Sequence, residues 1–450
     1  MQVMKFGGTS VTREESVKAI VKLVERDYAK QPVLVVSALS GVTDLLVKLS
    51  HTILDDEREA VFAELTAKHS TWINTNLAHL VELQPQAREV VADYLQQLRD
   101  LLPSIQYQNQ LQFHDSVVSF GELMSSKLIS LLLSASGYKA QQVSATNCII
   151  TTRHFGGADF IDGATKKHTQ KTVLPLVKAG VVPVITGFIG ATNQGETTIL
   201  GRGGSDYSAA IIGYALGADE IQIWTDVNGV FSADPRMISN AKLLKQLSYQ
   251  EAAELAMFGA KVLHPRTIQP AVRAGIPVRV LNTFNLDNPG TLIAHHPDNN
   301  DGVVKAVTWR NIVPLINIYS ADMFLSKGFL QKIFAILANN NISVNMISAS
   351  EVSVSVTLDN VGKLDSALVE LNKFAKADYI EGFGTVSLVG DQIMKTHALM
   401  QNIFNTLEAL DSKVQMLSYS ASTINISMLI PTAHIPEVSK AFHDSFVAKN

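Results

Sequence analysis

The order of apolar and polar positions divides the chain in two. Up to about residue 295, short runs rich in Val and Ile alternate with longer stretches of helical period, which predicts an α/β domain with a mainly parallel sheet. The predicted strands are Val3–Lys5, Val33–Ser37, Val181–Thr186, Glu220–Thr225 and Pro277–Leu281. Between them the period predicts helices over Glu14–Tyr28, Thr43–Leu54, Ser119–Ser136, Lys166–Ala179 and Ser205–Leu216. The polar-amphipathic block from Asp56 to Leu102 reads as a helical excursion from the sheet. Residues 285–311 are dense in turn formers and poor in period, which places the end of this domain at 295 and a linker at 296–311.

Beyond the linker the chain repeats itself. With Ile333-Phe334 laid on Ile403-Phe404, an offset of 70, Leu337 meets Leu407, Met346 meets Met416, and Val354/Val356 meet Ile424/Ile426. The alternation in Val352–Leu358 and in Ile424–Met428 is that of half-buried antiparallel strands. Two ferredoxin-like βαββαβ units are therefore expected, at 312–380 and 381–450, with strands free to interleave between them. They carry no obvious nucleophile, metal-ligand set or acid–base pair, so they read as sensors or assembly units.

Composition narrows the function. The 37 Lys and Arg against 41 Asp and Glu leave a net charge of −4, which gives no electrostatic reason to expect nucleic acid or an anionic membrane as partner. The single cysteine, Cys148, excludes an intrachain disulfide and a thiolate cluster and fits a reducing compartment. The uncharged runs Ala140–Thr152 and Tyr207–Ala218 are too short for a membrane span, and residues 1–8 hold no sustained apolar segment, so a cytoplasmic location is expected.

Four motifs carry chemistry. In Lys5-Phe6-Gly7-Gly8-Thr9-Ser10, glycines between a strand and a helix let backbone N–H groups approach an anion, and Lys5 adds a positive charge at the strand tip. It is no Walker A loop, since the lysine precedes the glycines. In Leu200-Gly201-Arg202-Gly203-Gly204-Ser205-Asp206 the glycine spacing is too compressed for a dinucleotide fingerprint. Arg202 is suited to grip a carboxylate through two parallel hydrogen bonds, and Asp206 either positions a cation or a lysine, or caps a helix. Trp224-Thr225-Asp226-Val227, followed by Phe231 and by Asp234-Pro235-Arg236, ends a strand at the sheet edge where open α/β folds hold ligands. Phe258-Gly259-Ala260-Lys261-Val262-Leu263-His264-Pro265 adds a late lysine. Two basic glycine loops with acidic groups match phosphoryl transfer, which needs positioning and positive charge more than covalent help. Nucleophilic hydrolysis matches poorly, because no G-x-S-x-G elbow occurs.

These motifs, with Ser119-Phe120-Gly121-Glu122-Leu123, stand in the order found in aspartokinases of the amino acid kinase superfamily, which the chain resembles over nearly its whole length. The resemblance implies a three-layer αβα catalytic domain, two ACT domains, and transfer from ATP, with Mg²⁺, to L-aspartate, giving ADP and 4-phospho-L-aspartate. It implies Lys5 and Asp206 as the catalytic pair, and Ser37, Thr43, Glu122, Arg202, Gly203, Gly204 and Ser205 at the substrate, with Arg202 on the α-carboxylate and Glu122 on the ammonium. Lys5, Phe6, Gly7, Gly8, Thr225, Asp226, Phe231, Arg236, Lys261 and Val262 would form the ATP site. Met323, Ser326, Lys327, Gly328, Phe329, Leu330, Ser343, Val344, Asn345, Ser350 and Glu351 would bind an amino-acid effector, lysine in the class most resembled; Asn345 stands where that class tends to place an aspartate. A homodimer or homotetramer through the ACT domains is implied. Another amino acid kinase, for glutamate, acetylglutamate or UMP, and an inactive amino-acid-sensing regulator are the alternatives. The paired repeat argues against the first, intact Lys5 and Asp206 against the second.

Overall fold

Pro32-Val33-Leu34-Val35-Val36 is buried at every position, and so is Val182–Thr186, as befits strands covered on both faces. Both lie in the first of two units of the computed structural model, which describes residues 1–52, 54–102, 110–258, 263, 265–295, 303–324, 326–391, 393, 398–419 and 424–447. That unit is formed by Met1–Val230, Lys245–Tyr249 and Val262–Pro297, the second by Phe231–Leu244, Gln250–Lys261 and Asp298–Asn450.

The strands of the first unit are β1 (Gln2–Phe6), β2 (Pro32–Val36), β3 (Ala140–Val143), β4 (Val182–Thr186), β5 (Ile189–Ala191), β6 (Thr197–Ile199), β7 (Glu220–Thr225), β8 (Gln246–Ser248), β9 (Val278–Asn282) and β10 (Thr291–Ala294). Eight of them form one sheet in the order β3-β4-β2-β1-β7-β9-β10-β8. Its neighbours run parallel except for β9 and β10; β5 and β6 pair apart as an antiparallel ribbon. The register sets Phe6 beside both Val36 and Trp224. The carboxyl ends of β1, β2 and β7 therefore share one edge, with β1 between neighbours reached in opposite directions, the place where open α/β sheets bind ligands.

Every strand and helix predicted for this region is present, with ends shifted by a few residues. The excursion consists of the helices Asp55–Asn76 and Gln84–Leu101. It is anchored rather than loose, since the Trp72 indole N–H donates to the Val11 carbonyl at 2.7 Å. The run Gln110–Ala135 has the length and hydropathy of a membrane span but is mostly buried within the protein. It breaks into the helices Gln110–Val118 and Phe120–Ala135.

The second unit holds β11 (Ala306–Arg310), β12 (Leu315–Tyr319), β13 (Val344–Ala349), β14 (Ser353–Leu358), β15 (Lys376–Ile380), β16 (Phe383–Val389), β17 (Met416–Ser418) and β18 (Asn425–Pro431). They form two antiparallel sheets, β13-β14-β12-β15 and β11-β16-β18-β17. The helices Phe329–Asn339 and Leu399–Ala409 stand at the offset of 70 read from the repeat. The first copy runs βαββαβ without interruption. The second takes its fourth strand from upstream: β11, inside the segment expected as a linker, fills the place that β15 fills in the first sheet. Val307, buried in the core of the second sheet, gives that segment its reason to be a strand. Residues 296–302 of the expected linker lie outside the described residues.

The second unit also claims two segments of the catalytic stretch. Ser232 accepts the Val307 N–H at 2.8 Å through its carbonyl and bonds His443 Nε2 at 2.9 Å through its hydroxyl. Glu251 forms a fully buried ion pair with Lys305 at 3.0 Å and accepts the Asp391 N–H at 3.0 Å. A domain limit placed by sequence at 295 could not foresee these, because the contacts join residues at least 54 apart in the chain.

Candidate active site

At the shared sheet edge, Lys5 of β1 reaches the helix Gly204–Leu216, where its Nζ lies 2.6 Å from Asp206 Oδ1 with side chains only 11% and 17% exposed. Asp206 stands in the first turn of that helix, where a carboxylate is favoured by the helix dipole. The capping alternative is settled: the cap is Gly203, at φ +69°, and Asp206 is left to hold the lysine. Gly204 is required by space, since a Cβ there would come within 2.5 Å of the Phe188 ring.

Opposite this pair, Glu122 is buried in the first turn of Phe120–Ala135. Its Oε1 accepts the Ala38 N–H at 3.2 Å, and among the described residues its buried Oε2 has no hydrogen-bond partner. Burial pushes its carboxyl up to about 8, outweighing the Ala38 N–H and the Lys5 charge, which act the other way. An unmatched buried oxygen aimed at a cleft calls for a donor from a ligand.

The cleft measures about 620 Å³ and brings together Lys5, Gly8, Ser37, Thr43, Glu122, Arg202, Gly203, Gly204, Ser205 and Asp206. These ten are the whole expected catalytic and substrate set together with one glycine of the first loop. Arg202 is exposed on its loop, and among the described residues it has no ion-pair partner, so its guanidinium is available to an anion.

The expected ATP residues are less gathered. Phe6 is fully buried and stacks on Trp224, with ring centroids 6.3 Å apart, so its ring serves the core instead of a nucleotide. The Gly7 N–H donates to the Trp224 carbonyl at 3.3 Å. Thr225 and Asp226 stand at the end of β7, hydrogen-bonded to each other at 3.2 Å. Phe231 and Arg236 belong to the second unit, where the Arg236 guanidinium bonds Asp234 at 2.7 and 3.0 Å. Lys261 and Val262 lie outside the described residues, as do Gly259, Ala260 and His264 of their motif.

Sequence reasoning missed Asp44, Gly156 and Phe188 on the cleft wall. Phe188 adopts φ +68°, a strained backbone for a residue with a side chain. It is held by its N–H on Ser208 Oγ at 2.8 Å and by the Leu200 N–H on its carbonyl at 2.9 Å. Nothing in the sequence marks that conformation. Among the described residues no group of three or more His, Cys, Asp or Glu is placed to hold a metal ion. A Mg²⁺ that arrives with nucleotide phosphates would need only one or two protein oxygens.

Of the expected effector residues, Gly328 caps the helix Phe329–Asn339 at φ +81°. The Phe329 ring is buried against Phe374 at 5.4 Å. Leu330 is 40% exposed, and Met323 packs against the core of the first repeat. Val344 begins β13, and the pairing of β13 with β14 is irregular between Val344 and Ile347, the interval that holds Asn345. Ser343 and Ser350 flank β13, Ser350 bonding Ser353 at 2.7 Å. Ser326, Lys327 and Glu351 are exposed.

Comparison with known proteins fits both units. The model of the amino acid kinase family matches residues 1–282, and that of the ACT domain matches 316–373 and 386–446. Lysine-sensitive aspartokinase 3 of Escherichia coli is 36% identical over 98% of this chain and 98% of its own. The chloroplastic aspartokinase 2 of Arabidopsis thaliana is 34% identical over 99% of this chain and 84% of its own. Among solved structures, E. coli aspartokinase III in complex with lysine and aspartate superposes with a TM-score of 0.83 at 35% identity, and the same enzyme with aspartate and ADP with 0.82 at 34%, each covering 99% of both chains. The chain belongs to the amino acid kinase family, and within it to the aspartokinases, with paired ACT domains at its carboxyl end.

Proposed function

We propose that the cleft catalyses transfer of the γ-phosphoryl group of Mg·ATP to the β-carboxylate of L-aspartate, yielding ADP and 4-phospho-L-aspartate. The Lys5–Asp206 ion pair facing buried Glu122 across one cleft carries this reading. The attacking β-carboxylate is already an anion, so no protein base is needed. Lys5 neutralises charge on the phosphoryl group in flight, and Asp206 keeps its ammonium in place. Glu122 receives the substrate ammonium and Arg202 the α-carboxylate, while Ser37, Thr43 and the Gly203-Gly204-Ser205 turn complete the substrate pocket. Gly7, Gly8, Thr225 and Asp226 serve the nucleotide. Mg²⁺ bound to the phosphates would shield their charge.

The reaction commits aspartate to lysine, threonine and methionine, and an end product acting at the first ACT repeat would restrain it. Lysine is favoured, as the effector in the name of the E. coli relative. Assembly of dimers or tetramers through the ACT sheets and a cytoplasmic location complete the reading. A coupled ADP assay with ATP and Mg²⁺ tests it: aspartate should support turnover, and glutamate, acetylglutamate and UMP should not. Absence of aspartate-dependent ADP would overturn it, and inhibition tested separately with lysine, threonine and methionine identifies the effector.

A further inference from the structure

Helix Gln110–Val118 carries a carboxylate that sequence motifs did not single out. Asp115 is fully buried, and its two oxygens accept the Gly156 N–H at 2.9 and 3.1 Å, one of them also the Ile199 N–H at 3.1 Å. Burial raises its proton affinity, against the opposing pull of these two amides and of His114, whose Nδ1 lies 3.4 Å from Asp115 Oδ1. An ionisable group buried at such a position is costly unless its hydrogen bonds are satisfied.

Both amide partners line the cleft, and Ile199 ends β6, three residues before Arg202. The Ala158 N–H donates back to the Ile199 carbonyl at 2.8 Å, so the turn at Gly156 is tied to the end of β6 from two sides. The Arg202 loop rests on that turn. Gly201, at φ +77°, comes so close that a Cβ there would lie 3.4 Å from Gly157 Cα. Arg202 has no side-chain partner among the described residues, so the aim of its guanidinium depends on how the loop beneath it is held.

We propose that Asp115 is a positioning residue for substrate recognition: by clamping the Gly156 turn to the end of β6, it fixes the platform from which Arg202 meets the α-carboxylate of the acceptor. The inference rests on the reading of the cleft as an aspartate site and deepens it. Asp115 itself touches no substrate.

The test is Asp115→Asn, which keeps the shape but cannot accept both amides with the same charge. Expected is a rise in KM for aspartate of roughly tenfold or more with KM for ATP nearly unchanged, since misaiming a positioning group weakens one substrate selectively. The preference of the wild type for aspartate over its α-amide should shrink by a similar factor, because the α-carboxylate is the group the clamp serves. Equal losses for aspartate and α-amide, or equal rises in both KM values, would show a merely structural role and overturn the proposal. Should the variant not fold, amide exchange in the wild-type protein decides. Gly156 and Ile199 protected without aspartate support a preformed clamp, and free exchange until aspartate binds refutes it. Wild-type enzyme inactive on aspartate would remove the functional reading instead, a result separable from an indifferent Asp115→Asn.

Discussion

Lys5 and Asp206 are 201 positions apart in the chain and 2.6 Å apart in the fold, each more than four-fifths buried. Neither charge is shielded by bulk water at that depth, so each depends on the other for solvation. Lys5→Ala should lower kcat on the order of 10²- to 10³-fold or more, the cost of losing a preorganised charge at a transition state. Asp206→Asn should lower it too, by freeing Lys5 to wander. Steady-state kinetics with thermal melts alongside separates this from misfolding; a Lys5→Ala variant of near wild-type kcat would refute the assignment.

Glu122 makes the enzyme sensitive to pH in a defined direction. Its carboxyl, raised from 4.5 to about 8, holds a proton in the folded protein that the unfolded chain releases. Stability contributed by this group is therefore present at low pH and declines as pH rises from about 4.5 to about 8. A substrate ammonium prefers the anion, so aspartate binding should tighten with pH up to about 8 and release a proton below it. Calorimetry in buffers of different ionisation enthalpy measures that proton, and Glu122→Gln should abolish it.

The Glu251–Lys305 pair is buried at 0% and 2% exposure. Glu251→Gln should destabilise the second unit by about 3–5 kcal/mol, because the Lys305 ammonium keeps its burial and loses its carboxylate. Urea unfolding followed by circular dichroism checks this.

Asn345 offers a test of the effector site. Restoring a carboxylate with Asn345→Asp should lower the lysine concentration for half inhibition by about tenfold, the scale of one charge-assisted hydrogen bond. No change in lysine sensitivity, with aspartate turnover intact, would place the effector elsewhere.

Much of this was legible in the chain. Unbroken Val and Ile runs such as Val33–Val36 can only be strands covered on both faces, and glycines before Asp206 can only be a tight turn into a helix. The repeat at an offset of 70 revealed the two small units because duplicated cores keep their apolar spacing. Phe188 was hidden, since a left-handed backbone on a bulky residue is imposed by its partners Ser208 and Leu200. Asp115 was hidden for a similar reason: the Gly156 and Ile199 groups it holds are backbone amides, which leave no mark in sequence.

The sequence by itself determined the element order, ten of the residues that line the cleft, and the kinship that names their chemistry, all of which follow from local pattern and motif order. Only the tertiary structure decided that Asp206 holds Lys5 rather than capping its helix, that Glu122 keeps an unmatched oxygen, and that β11 completes the second ACT sheet from upstream of the first. Each of these depends on atoms brought together across tens to hundreds of residues, where burial and hydrogen-bond satisfaction, not local preference, select the arrangement.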